Sequence, residues 1–454
     1  MMKSALVILA ILVFGAVAGA QGQSISLSDS LFSLFRTVAE DVPSFDSTTT
    51  LEDYLKLGAR DCCGLRASFY RWQSAKAMVG FAGALENPIL SYTYGYDNFS
   101  DPLGVRSHKF GLMQPIPWFG MLGAKRRAAA RMADAALQDF ESERLVTRFK
   151  VKSAYFEYYF AARQLALTRA NFELMRQFEA VVRTRYQAGL AMHPDLVKAQ
   201  IELADLENMI VSMERMLKPV QAKLLAQLNL PDTLALPIPR DFVLYESSID
   251  RDTLIAHAVR YSPKLLGILH EIESEREEIT VARKEARPEF MVGVEYERSK
   301  LFDNMAQQDE NMNDYMLTIQ MTLPIWFGKN KAMRQAAEAK VRATEYMHQE
   351  ERNDLAAMVS MAHYEYEDAL RRMRLYRDGL IPKAQEGLNV NLTAYQAGQI
   401  DFLMLLDSQR QLLEFEINFE RAKTDAAIKL AEIEVLTGQE IDIKITKKSY
   451  LEEN

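Results

Sequence analysis

The sequence has little cysteine, little glycine or proline, and no excess of positive charge. Its two cysteines, Cys62 and Cys63, are adjacent, and a bond between neighbours closes only a strained ring, so no disulfide scaffold is expected. The 20 glycines and 14 prolines among 454 residues are too few for a loop-rich or disordered chain. Asp and Glu number 62 against 54 Lys and Arg, and the net charge of -8 argues against a nucleic-acid-binding protein.

Long apolar runs are also missing beyond the start of the chain. No later stretch reaches the roughly 20 unbroken apolar residues of a membrane-spanning helix, which excludes a helical transporter. Membrane β-strands are not excluded, because they leave almost no hydropathy signal. A basic start, an apolar run over 5–18 and the Ala18-Gly19-Ala20 pattern predict a signal peptide over residues 1–20. An N-terminal anchor helix is the alternative.

Residue groupings that support catalysis or metal binding are absent from the sequence as well. Its histidines include no pair four residues apart and no H-E-x-x-H motif, so no metal site is expected. No glycine-rich phosphate-binding loop and no recognisable Ser/His/Asp grouping occurs, so we expect neither a cofactor nor an enzyme. Met358, Met361 and His363 are close along the chain, but methionine on a long helix is more often core filler than a metal ligand.

The chain repeats itself at a spacing of 208 to 209 residues. Trp118-Phe119-Gly120 recurs as Trp326-Phe327-Gly328, and Tyr186-Gln187-Ala188-Gly189 recurs as Tyr395-Gln396-Ala397-Gly398. Anchors in one order with nearly constant spacing indicate two tandem halves.

The boundaries of these halves follow from helix-breaking residues. Pro231, Pro237 and Pro239 cluster between the two halves and break any helix there. The predicted organisation is a signal peptide at 1–20, an N-terminal extension at 21–50, the first half at 51–228, a linker at 229–250, the second half at 251–438 and a C-terminal tail at 439–454.

Each half contains two segments in which apolar and polar residues alternate. In the clearest one, Phe290, Val292, Val294 and Tyr296 alternate with Gly293, Glu295 and Glu297. A period of two over about ten residues is typical of outer-membrane β-strands, and a half-buried sheet in a soluble domain is the alternative. The predicted strands span 88–97, 105–117, 288–302 and 314–325, with a longer polar loop over 303–314.

Long helices are expected over most of the remaining chain. Residues 124–188 contain neither Gly nor Pro, and a continuous helix of that length would extend about 100 Å and need other helices beside it. Leu405, Leu412 and Phe419 recur every seven residues, which indicates coiled-coil packing. Further helices are expected at 194–228, 252–287 and 329–397, the last with a break near Gly379 and Pro382.

Four strands cannot close a membrane barrel, so several copies of the chain would have to share one. Unpaired backbone groups are costly in lipid, which excludes open strand edges there. Two chains would give eight strands and a filled interior, whereas three would give twelve and a water-filled lumen, which favours a cyclic trimer. The polar strand faces would then line the channel through Glu295, Glu297, Thr318, Gln320 and Thr322.

Two Tyr-x-x-Gly segments, within Arg185–Leu190 and at Tyr395–Gly398, each precede a heptad helix, and Leu406-Asp407 follows the second. Together with the duplicated strand–strand–helix order, they make the chain from about Leu51 to Gly438 resemble the outer membrane factor family, the TolC-like outer membrane efflux proteins. A further set of residues resembles the heavy-metal efflux branch of that family: Asn87-Pro88, Pro117-Trp118-Phe119-Gly120 and Lys125-Arg126.

The resemblance implies a mainly α-helical fold with membrane β-strands. Two tandem strand–strand–long-helix repeats would contribute four strands per chain to a trimeric twelve-stranded β-barrel, continued by a periplasmic α-helical coiled-coil barrel. The homotrimer would lie in the outer membrane lipid of a Gram-negative bacterium and extend into the periplasm. It would be a passive exit duct for small molecules or metal cations, with a periplasmic adaptor (membrane fusion protein) and an RND-type or ABC-type inner-membrane pump as partners. The alternatives are a secreted coiled-coil structural or periplasmic adaptor protein, and the exit duct of type I protein secretion.

The resemblance also assigns residues at the periplasmic tip. Gly189 and Leu190 in one turn and Gly398 in the other would contact the adaptor. Glycine permits positive φ, so the chain can reverse tightly there and expose its backbone to a partner. The alternative is that these are plain helix-to-helix turns.

A periplasmic gate is the other assignment that the resemblance carries. Tyr395 would pair with Asp195 to close the tip. Asp407 would place three carboxylates around the lumen of a trimer, which attracts cations, while Met404 replaces a second acidic ring. A solvated or helix-capping role is the alternative for Asp407.

Overall fold

The computed structural model describes residues 45–46, 48–96, 103–244, 250–303 and 309–439. The predicted signal peptide, most of the N-terminal extension and nearly all of the C-terminal tail lie outside them. The first half runs α1 (Leu51–Asp61), α2 (Cys63–Ala82), β1 (Ile89–Tyr96), β2 (Leu103–Ile116), α3 (Met121–Gln187) and α4 (His193–Gln227). The second half runs α5 (Arg251–Tyr261), α6 (Pro263–Glu285), β3 (Phe290–Asp303), β4 (Asp309–Met321), α7 (Phe327–Arg374), α8 (Ile381–Gln396) and α9 (Phe402–Thr437).

Helices α1 and α2 are not among the elements expected from the sequence. Thr50 precedes α1, and its backbone N–H donates to the carboxylate of Asp53 at 2.9 Å, which satisfies a free donor at the helix start. Helix α2 packs on α3 through Phe69, whose ring lies edge-on to that of Phe140 at 5.9 Å. Both helices are therefore held by packing against α3.

The single helix expected at 252–287 is wrong, because the chain breaks between α5 and α6. Ser262 lies between them with φ -59° and ψ 120°, outside the helical region. The cause is Pro263, which disfavours helical geometry in the preceding residue and has no N–H of its own.

The break expected near Gly379 and Pro382 is also absent. A π-helical turn, Leu375–Leu380, connects α7 to α8 without interrupting the helical path. Pro382 is the second residue of α8 and directly follows this turn, and because proline has no N–H to donate to an earlier carbonyl, the hydrogen-bond pattern changes there although the helix continues.

The four strands form one antiparallel sheet in the order β1-β2-β3-β4. The central pairing joins the two halves, with Leu112 opposite Val294. Strand β4 begins at Asp309 rather than at 314, so the polar loop is shorter than expected. Within the described chain, β1 and β4 each have one unpaired edge.

The two faces of this sheet differ in polarity. Tyr92, Phe110, Tyr296 and Tyr315 form one row across all four strands, with ring centroids 5.0 Å apart in the first pair and 5.2 Å in the last. The opposite face carries charged and hydroxyl side chains, including the 2.6 Å ion pair of Lys109. The side chains of the aromatic row belong to an exposed apolar face, on which Leu317 and Ile319 are 68% and 66% exposed.

The helices pack lengthwise around α3 and α9. Among the described residues, no helix is both long enough and apolar enough to span a membrane. Lys152 on α3 and Glu434 on α9 form a buried ion pair. The linker is held to the same helices, because Asp241 accepts a 2.7 Å hydrogen bond from the hydroxyl of Tyr159 and contacts Lys423.

Candidate functional site: the paired turns at the helix ends

Two turns of matching geometry connect the long helices. The first turn, 188–192, joins α3 to α4, and the second turn, 397–401, joins α8 to α9. Gly189 has φ +75° and Gly398 has φ +74°, a left-handed conformation that side chains disfavour. Each glycine N–H donates at 3.0 Å to a tyrosine carbonyl three residues earlier in the chain, which closes the helix end.

The first turn presents apolar side chains at the surface. Leu190 is 68% exposed and Met192 is 66% exposed. A Cβ added at Gly189 would meet nothing within 4 Å, so its φ, and not its surroundings, requires glycine. Leu190 and Gly189 therefore lie on an open surface.

Arg185 connects the first turn to the second. Its Nη1 donates to the carbonyl oxygen of Gln396 at 2.5 Å, and its Nη2 lies 3.4 Å from the carbonyl oxygen of Leu190. A Cβ at Gly398 would lie 3.4 Å from Nη2. The structure thus brings the three predicted tip residues together through an arginine to which the sequence assigned no role.

Tyr395 and Asp195 are both buried below the turns. Tyr395 is 3% exposed, Asp195 is 8% exposed, and the ring of Phe402 lies 5.8 Å from that of Tyr395. Among the described residues, the Tyr395 hydroxyl has no hydrogen-bond partner, so the expected link to Asp195 is not formed within the chain. Burial raises the pKa of Tyr395, Arg185 opposes this rise, and the negative charge of Asp195 adds to it.

Tyr395 belongs to an apolar cluster that packs α3, α4, α8 and α9 together. Its buried members are Met175, Phe178, Val182, Ala199, Leu206, Leu388, Tyr395, Phe402, Leu405, Leu406 and Leu412. Heptad positions Leu405 and Leu412 are among them, which agrees with coiled-coil packing. The turns are thus held by a well-packed base.

Asp407 differs from the other two gate residues because it is exposed on α9. Met404, one turn earlier, is exposed as well. Arg410 adds its positive charge near Asp407 but pairs with Glu202 on α4, with 3.0 Å between Nε and Oε1. Asp407 is therefore on an open helix face and not in the buried cluster of Tyr395.

The described part of the chain has few side chains arranged as metal ligands. No group of three or more His, Cys, Asp or Glu side chains there is arranged to hold a metal ion. Met358 and Met361, expected as core filler, are instead exposed on α7. Cys62 and Cys63 are both free thiols.

The family of the chain follows from comparison with known proteins. The family model for outer membrane efflux protein matches residues 64–229 and again 254–439, which together cover most of the chain. The chain belongs to the outer membrane efflux protein family. Members of this family are transport ducts of the outer membrane of Gram-negative bacteria and extend into the periplasm, and this chain is one of them.

Individual relatives agree with this assignment. The cobalt-zinc-cadmium resistance protein CzcC of Cupriavidus metallidurans is 24% identical over 383 residues, which span 82% of this chain and 85% of CzcC. The outer-membrane channel OprN has a TM-score of 0.74 at 15% identity, covering 90% of this chain and 95% of OprN. The solved structure of CusC has a TM-score of 0.73 at 15% identity, covering 89% and 96%. The likeness to OprN and CusC shows that this chain has the fold of these channels.

Proposed function

We propose that this protein is the passive outer membrane exit duct of a tripartite efflux system and that it works as a homotrimer. The observation that carries the proposal is the exposed apolar face of a four-stranded sheet with two unpaired edges. In water, such a face and such edges favour aggregation. In lipid, the face is solvated, and the edges are satisfied once β4 of one copy pairs with β1 of the next.

The number of copies follows from the strand count. Three copies give a twelve-stranded barrel that is wide enough for a water-filled lumen, whereas two copies give an interior filled by side chains. The polar face with Lys109 and Glu295 lines that lumen, because the apolar face contacts lipid. The long helices continue the barrel as a periplasmic coiled-coil tube.

The paired turns would be the docking end of the duct. Gly189, Leu190 and Gly398 contact the periplasmic adaptor, and an RND-type or ABC-type pump in the inner membrane supplies the energy. Exposed Leu190 and the left-handed glycines support this role, because they offer apolar surface and accessible backbone to a partner. Asp195, Tyr395 and Asp407 form the gate above the docking end.

Metal cations are the cargo that we favour over other small molecules. The relative CzcC is named for cobalt, zinc and cadmium resistance. In a trimer, three exposed Asp407 carboxylates around the lumen would attract cations.

Detergent-purified protein tests the assembly. We expect a mass of three chains by light scattering and discrete conductance steps in planar bilayers. A monodisperse water-soluble monomer in the periplasmic fraction would refute the duct and favour the secreted coiled-coil or adaptor alternative. A deletion strain tests the cargo: we expect sensitivity to divalent metal ions, whereas sensitivity to dyes and detergents alone would assign drug export.

A further inference from the structure

We infer that Arg185 is a positioning residue that holds the second turn against the first, so that each protomer presents its two turns as one rigid unit. The inference concerns contacts within a single chain. Only its consequence, a docking surface of fixed geometry, rests on the proposed function.

The first argument is electrostatic. Helix α3 ends at Gln187 and α8 ends at Gln396, so two helix C-termini meet at this end of the molecule. Each C-terminus carries unpaired carbonyls and a partial negative charge, and two such ends repel each other when they are close. The guanidinium of Arg185 lies between them and donates to the carbonyl of Gln396.

The second argument is the shape of the arginine head group. A guanidinium presents several N–H donors in a planar fork, so Arg185 bonds Gln396 and approaches Leu190 at the same time. Its centre also lies 5.0 Å from the ring centroid of Tyr395, within cation–π range. That ring is buried against Phe402, which gives the cation a fixed surface. A lysine ammonium is a point charge and cannot make these contacts together.

The third argument is the asymmetry of the repeat. The position in the second turn that corresponds to Arg185 is Ala394, so one arginine serves both turns. Arg183, two positions earlier on α3, instead pairs with Glu179 of its own helix at 2.6 Å. Arg183 therefore has the same charge on the same helical turn but points to another side of α3 and does not contact the second turn, which makes it a matched control.

Distances between spin labels test the inference. The full-length protein carries Cys62→Ser and Cys63→Ser, with labels introduced by Ala188→Cys and Ala397→Cys. Labelled chains are assembled with an excess of unlabelled chain, so that measured pairs lie within one protomer. We expect one narrow distance peak in the otherwise unchanged protein and in Arg183→Ala, and loss of that peak in Arg185→Ala.

Further variants separate positioning from general destabilisation. Arg185→Lys should also lose the peak, because charge alone is insufficient. Tyr395→Phe should keep the peak, because the ring remains, and Tyr395→Leu should broaden it. The double variant Arg185→Ala with Tyr395→Leu should broaden the distance peak no more than Arg185→Ala alone. Both changes remove the contact between the guanidinium and the ring.

The outcomes that would overturn the inference are direct. A narrow peak in Arg185→Ala refutes it, and a narrow peak in Arg185→Lys refutes the need for the planar fork. If circular dichroism shows that Arg185→Ala is unfolded, Arg185→Lys and Tyr395→Leu give the decision. If the protein shows the narrow peak and yet gives no conductance or forms no trimer, that result would refute the proposed function and leave the inference standing.

Discussion

The sheet and the helical tip contain the same kinds of apolar side chain, but only the tip buries them. Met175, Val182 and Phe402 are fully buried by neighbouring helices of their own chain. Leu317 and Ile319 alternate along β4 as regularly as any core strand, yet remain mostly exposed. A single chain thus completes its helical core and leaves one face of its sheet uncovered.

The difference follows from how the two kinds of element satisfy their backbones. A helix makes its hydrogen bonds internally, so four helices can form a finished core. A strand needs a neighbour on each side, and β1 and β4 each lack one among the described residues. Under the proposed assembly, the sheet is the region that further copies and lipid would complete.

The largest expected effect comes from placing a charge on the exposed apolar face. Leu317→Arg should abolish assembly in the membrane. An arginine that faces lipid at the middle of the bilayer destabilises the membrane-inserted barrel by about 2–4 kcal/mol for each copy of the chain. The neighbour of Leu317 on the opposite face gives the control, and Thr318→Arg should still assemble. For both variants, the yield of heat-modifiable trimer is measured on gels after the protein is extracted from the membrane.

Equal trimer yields for the two variants would contradict this prediction. They would mean that the face of Leu317 does not contact lipid, and the contrast between sheet and tip would lose its explanation.

A smaller effect is expected from a cavity in the tip. Met175→Ala should lower the free energy of unfolding by about 2–5 kcal/mol per chain, because Met175 is fully buried among the apolar side chains of four helices. Val390→Ala on the exposed surface of α8 should change it by no more than about 0.5 kcal/mol. Thermal unfolding followed by circular dichroism compares the two, and similar melting temperatures would argue that the tip is loosely packed.

The smallest expected effect concerns carboxylates that the helices bury. Burial, with the negative charges of Asp139 and Glu275, raises the pKa of Glu271, and Lys340 opposes the rise. The folded state therefore binds a proton on the Glu271 carboxylate more tightly than the unfolded state does. The free energy of unfolding increases as pH falls through the raised pKa. Glu271→Gln should stabilise the protein at neutral pH and reduce this dependence.

Glu277 on the same helix gives the opposite sign. Its hydrogen bond from Arg127, 2.8 Å long, lowers its pKa, so its contribution is present at neutral pH and is lost as pH falls through that lowered value. Glu277→Gln should therefore destabilise slightly at neutral pH. Melting temperatures between neutral and acidic pH measure both variants, and a shift of the same sign for the two would refute the assignment.

Much of the fold could be predicted because its signals are local. The alternation around Val292 and Val294 predicts a strand, and the absence of Gly and Pro over 124–188 predicts the long α3. The break before Pro263 was also present in the sequence, but the helical pattern on both sides of it obscured the signal. Helix α1 was missed because it is short. Helix α2 is 20 residues long but buries only Leu65, Ser68 and Phe69, so it lacks a regular apolar stripe.

The candidate site was less accessible from the sequence. Gly189 and Gly398 could be found, because a Tyr-x-x-Gly repeat that ends a helix needs positive φ at its glycine. The burial of Tyr395, the exposure of Asp407 and the contacts of Arg185 could not, because each depends on which side of a helix faces its neighbours.

The sequence by itself determined where this chain forms strands, long helices and left-handed turns, because each of these depends on residues that are close to one another along the chain. Only the tertiary structure decided that two turns about 209 residues apart share one arginine and that β2 pairs with β3. Such contacts form when distant segments pack together, and no short-range pattern in the sequence encodes which segments will meet.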